Sequence, residues 1–174
     1  MAMVGLFWIA EGDVYVGAKP AGHAPGVRLA DEGVTGLGDG QSQLYPWEDV
    51  RSLTVADIPV KTLIRQVGTV TGMALETVKE IALPGMGGGI EAPPLLLVRV
   101  RTEGGERNLA AYVAAASGYP QSEVDLSLAL LNRLTEGAAT METTLAAMAA
   151  WGRAWEGGTP RRSEREELLR KWLG

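Results

Sequence analysis

The chain has 174 residues, 46% of them hydrophobic and 21% charged, with a net charge of −5 and no cysteine. This is the composition of an ordinary globular domain, large enough to bury roughly two thirds of its unfolded surface without covalent staples. The missing cysteines exclude disulfides, thiolate metal sites and cysteine nucleophiles, and the acidic balance argues against nucleic-acid binding, which needs a positive field.

No apolar run approaches the length of a membrane-spanning helix, and the N-terminal run stops at Glu11 without a basic region before it. A secretory signal is therefore not expected, and the chain reads as cytoplasmic. Leu6 to Ile9 and Val14 to Gly17 are strand-forming runs around Glu11-Gly12-Asp13, which predicts a β-hairpin. Residues 19–26 hold two Pro and two Gly and read as a loop. Val27 and Leu29 alternate with Arg28, Asp31-Glu32-Gly33 forms a compact turn, and Val34 to Leu37 returns as a second strand. A loop from Gly38 leads to Tyr45-Pro46-Trp47-Glu48-Asp49-Val50. Trp47 and Val50 are three apart, so both can point inward from a corner. Arg51, Leu53 and Val55 then alternate with Ser52 and Thr54, the period of a strand.

Between 62 and 83 the period changes. Ala74, Val78 and Ile81 share one side and Glu76 and Lys79 the other, which predicts an amphipathic helix. Residues 85–94 form a Gly/Pro-rich connector. Leu95 to Arg101 is the strongest strand signal, with Leu96, Val98 and Val100 on one face and Arg99 and Arg101 on the other. Glu103-Gly104-Gly105 links it to a strand from Arg107 to Val113. Beyond Ser122 the pattern is helical. A first helix over 122–136 buries Val124, Leu128, Leu131 and Leu134, with Ser122 and Asp125 as its cap and Gly137 as its stop. A second carries Met141, Leu145, Met148 and Trp155. A third follows Pro160, with Ser163 and Glu166 matching a capping box. Strands joined by tight turns and followed by helices predict an α+β fold: a bent antiparallel sheet or small barrel capped by a helix.

Leu29, Gly33, Val34, Trp47 and Val50 match a strand-turn-strand followed by a Trp corner, and over residues 1–137 the chain resembles bacterial pleckstrin-homology-like domains. The resemblance makes 62–83 a helical insertion and 138–174 a helical extension packed on the domain or on a partner. It implies a binding or scaffolding module, not an enzyme, and transfers no functional residue.

No nucleophile elbow, metal-ligand spacing or dinucleotide fingerprint is present, so no catalytic residue, metal or cofactor is assigned. His23 is the only histidine and sits in a loop. Glu48 and Asp49 adjoin Trp47, whose wall could raise a carboxyl pKa, but neighbouring side chains diverge and a corner role is simpler. Gly85 to Gly89 lacks the Lys-Ser/Thr tail of a phosphate loop. Arg99, Arg101 and Arg107 can form a patch for an acidic peptide or a phosphate, or an ordinary charged outer face. Trp155, Arg161 and Arg162 lie in a basic stretch. They can serve a protein partner or self-association, or Trp151, Trp155 and Trp172 can dock the tail on its own domain. The reading is a binding module acting through protein contacts. The alternatives are a small enzyme or ligand binder with a cleft of Glu48, Asp49, Arg99 and Arg101, and phospholipid headgroup binding.

Overall fold

A computed structural model describes residues 1–60, 94–115 and 117–174. The helix expected over 62–83, and all but the last residue of the 85–94 connector, lie outside the described residues. The fold is α+β, as expected, with two antiparallel sheets and three C-terminal helices.

The first sheet is a meander of β1 (Ala2–Val4), β2 (Phe7–Ala10), β3 (Asp13–Val16), β4 (Gly26–Ala30), β5 (Gly33–Leu37) and β6 (Gln43–Pro46), neighbours in space as in sequence. The β2–β3 hairpin turns on Glu11 and Gly12, both at positive φ, the conformation that matches the twist of a two-residue turn. Strands β1 and β6 have no long alternating pattern and were not legible as strands. Gly33 is needed for close approach: a Cβ there would strike the Tyr45 carbonyl on β6.

The Trp47 corner carries the chain from one sheet to the other. Asp49 N–H donates to the Pro46 carbonyl (2.9 Å), Val50 N–H to the Trp47 carbonyl (3.2 Å), and the Trp47 indole to the Ala30 carbonyl (2.6 Å). The second sheet then runs β7 (Val50–Ala56), β8 (Leu95–Thr102) and β9 (Gly105–Tyr112) in that order. Neither sheet closes, so the architecture is two open sheets and not a small barrel. A bulge between Val50 and Ser52 also changes the expected β7 alternation. Val50 points inward and Arg51 outward, where it pairs with Glu103.

Three helices complete the core: α1 (Gln121–Leu134), α2 (Ala138–Ala154) and α3 (Arg162–Leu173). Helix α1 packs against β7 and α3, α2 against β2 and β3, and α3 also against β1. Residues 138–174 therefore lie on the sheets and α1 of their own chain. Their Leu145, Met148, Leu169 and Trp172 join Phe7, Ile9, Val98 and Leu131 in one core.

The caps differ from the expected ones. Ser122 makes no cap; its hydroxyl bonds Glu166 on α3. Helix α3 is capped two positions earlier, where Glu164, not Glu166, accepts the Arg161 N–H at 2.8 Å. Gly137 opens α2 as its N-cap and does not close α1.

Candidate functional site: a cleft between two sheet edges

Strands β6 and β9 each form one edge of their sheet, the last strand of the first sheet and of the second. Between them lie two adjoining cavities of about 360 Å³ and 440 Å³ that share Gln43, Tyr45 and Arg107. Pro46, Asp49, Thr102 and Leu44 complete one end, and Gln41, Asn108 and Leu109 the other. Leu44 is 43% exposed, one of few large apolar side chains so open to solvent among the described residues.

Backbone parity shows what these edges offer. The Gln41 side-chain amide pairs with both the N–H and the carbonyl of Ala110, each at 2.8 Å, as a neighbouring strand would. The same amide nitrogen donates to the Gly26 and Leu37 carbonyls at 3.1 Å and 2.9 Å, tying the sheets together. Two residues on, the Tyr112 carbonyl accepts the Ala18 N–H at 2.7 Å. Ala110 and Tyr112 thus direct their backbone groups away from β8. By the period of two, so do Glu106 and Asn108. Among the described residues nothing bonds the backbone of these last two.

The same reasoning applies to β6. Ala30 and Gly33 close a two-residue turn as a bonded pair, so Val34 bonds Tyr45 and the Leu44 backbone points off the edge. The Pro46 carbonyl is already taken by Asp49.

The cross-strand register separates the expected arginine patch. Arg99 pairs with Asn108 and Arg101 with Glu106, on the outer face of the second sheet. Arg107 pairs with Val100, on the opposite, core-facing side. It is nevertheless exposed, as is the whole start of β9, and it lines the cleft. Arg107 makes no ion pair among the described residues. The expected carboxylate/arginine cleft is likewise split. Asp49 shares the β6/β9 cleft with Arg107, whereas Glu48, Arg99 and Arg101 do not line it.

In the tail, Trp151 stacks on Trp155 with ring centroids 5.3 Å apart and meets Trp172 edge-on at 5.8 Å. The Trp155 indole donates to the Gly158 carbonyl at 2.8 Å, which folds the 155–158 turn back on itself. The tryptophans are thus engaged within the chain. Arg161 and Arg162 are exposed at the start of α3, and Arg162 pairs with Glu166 at 3.1 Å. A shallow groove of about 690 Å³ runs between α2 and α3, floored by Trp151, Leu168 and Trp172.

The anchor that sequence reasoning missed lies between α1 and α3. Glu123 is fully buried, and the Arg165 guanidinium grips its carboxylate through two nitrogens, the longer bond 3.4 Å. Arg165 also donates to the Pro160 carbonyl at 2.7 Å. Nearby, Glu166 accepts from the Ser122 hydroxyl and Arg162, which together hold its carboxyl below the ordinary range. The buried Ser127 hydroxyl accepts the Leu6 N–H at 3.0 Å. On helical spacing, Glu123 beside Val124 reads as a surface acid of the first turn, so nothing local marked it.

Among the described residues there is no cluster of three or more metal-binding side chains, and no helix is long and apolar enough to cross a membrane. No protein-family model, curated protein or solved structure matches the chain.

Proposed function

We propose that the chain is a protein-binding module whose working surface is the β6/β9 cleft. One observation carries the reading: two cavities adjoin between two sheet edges whose outward backbone groups at Leu44, Glu106 and Asn108 lack partners among the described residues. Such edges are templates for another chain, and proteins ordinarily cover or blunt them. Here a polar cleft with an exposed leucine and an arginine stands in front of them. The likeness to pleckstrin-homology-like domains, which implies a binding or scaffolding module, belongs to the same proposal. A cysteine-free chain suits work in a reducing cytoplasm.

Site-specific photo-crosslinking in the native host tests this. A benzophenone side chain replacing Leu44 is expected to capture a discrete protein, and the same group at Thr143, in the α2/α3 groove, to capture none. Capture from Thr143 alone, or from neither position, would overturn the assignment.

A further inference from the structure

Resting on the cleft as the working surface, we infer that its occupant is an extended segment of a different protein. It adds to β9 as a fourth strand and carries an acidic side chain opposite Arg107.

The edge defines the geometry. Gln41 already acts as a one-residue strand mimic at Ala110, and Ala18 occupies the Tyr112 carbonyl. The ladder left for an incoming strand is Glu106 to Asn108. When those two residues exchange hydrogen bonds with the newcomer, Arg107 falls at the intervening position. There the two backbones approach most closely and opposed side chains interact most strongly. The residue facing Arg107 decides whether the strand is accepted. Asp49 stands at the same mouth, and Glu103 is already held by Arg51. The acidic preference is therefore confined to the one position facing Arg107. Leu44, across the cleft, favours an apolar side chain on the strand's far edge.

A second copy of this chain fits poorly. Two β9 edges related by a two-fold axis can use the free groups of both residues only by pairing Glu106 with Asn108, and this sets Arg107 opposite the partner's Arg107. Like charges directly opposed across strands are destabilising. The next register, centred on Asn108, needs the backbone of Ala110, which Gln41 holds.

The test pans a phage-displayed random octapeptide library against the full chain. Enriched peptides are expected to carry Asp or Glu at one fixed position. The best of them, made synthetically, should lose about tenfold or more in affinity for Arg107→Glu and regain it when its acidic residue is changed to Lys. Arg107 is exposed, so the variant should fold, as far-UV circular dichroism can verify. N-methylation of alternate peptide amides should abolish binding, and methylation of the intervening ones should not. A peptide that displaces the Leu44 crosslink yet tolerates every N-methylation overturns strand addition and leaves the cleft standing. Peptides insensitive to both Arg107→Glu and Leu44→Lys overturn the cleft as well. A library without binders, or a dimer abolished by altering β9, overturns the inference.

Discussion

The Glu123–Arg165 pair fastens α3 to α1, and its removal should expose how firmly the C-terminal helices belong to the domain. Glu123 has no solvent exposure and the Arg165 side chain only 11%. Replacing Arg165 with Met strands a carboxylate where water cannot reach it, and replacing Glu123 with Leu strands a guanidinium. Each single change should cost about 3–5 kcal/mol, because the surviving charge has lost its compensation. With a urea dependence of about 2 kcal/mol/M, the unfolding midpoint should fall by about 1.5–2.5 M. The double variant should recover most of this and lie within about 1–2 kcal/mol of the parent, the residue being the Pro160 carbonyl that Arg165 no longer serves. Urea titration can be followed by tryptophan fluorescence, since Trp172 lies on α3 and Trp151 touches it. Single variants costing under about 1 kcal/mol, or a double variant equal to the sum of the singles, would refute the reading of a coupled buried pair.

Gly152→Ala sets two effects against each other. Helix propensity favours alanine by about 1 kcal/mol, but the added Cβ would meet the stiff Ile9 side chain on β2, and the net result should be a loss of about 1–2 kcal/mol by chemical denaturation. Gln41→Ala should destabilise by about 1–3 kcal/mol. It also frees the Ala110 edge, so light scattering should reveal concentration-dependent association absent from the parent. Glu166 has its carboxyl pKa lowered, first by the Ser122 hydroxyl and then by Arg162. Its contribution is complete above the unfolded value near 4.5 and disappears as pH falls through the lowered folded value. Ser122→Ala should therefore reduce stability at pH 7 and leave it little changed below that window. Equal loss at both ends would exclude the linkage.

Much of the scaffold was legible because it rests on local rules. Alternation at Val27–Leu29 and Leu96–Val100, the turn glycines, and the amphipathic stripes of α1 and α2 each dictate their own conformation from neighbours within a few residues. The Trp47 corner was legible for the same reason, although only the fold shows that it passes the chain between two sheets. The candidate site was scarcely legible. Arg107 was grouped with Arg99 and Arg101 because spacing along a strand was visible, while the pairing across the hairpin that turns it to the other face was not. Gln41 sat in an unremarkable loop, and its role as a strand mimic depends on Ala110, far along the chain.

What the sequence determined by itself is the class of most elements and, where no bulge intervenes, the side of a strand that turns inward, since periodicity and turn chemistry are short-range. What tertiary structure decided is which edges meet, which acid is buried against which base, and how the tryptophans of the tail pack on one another. Those outcomes depend on register, bulges and helix docking between residues distant in sequence. The physical reason is that a strand's unpaired edge carries no mark in its own residues; it exists only by virtue of what fails to lie beside it.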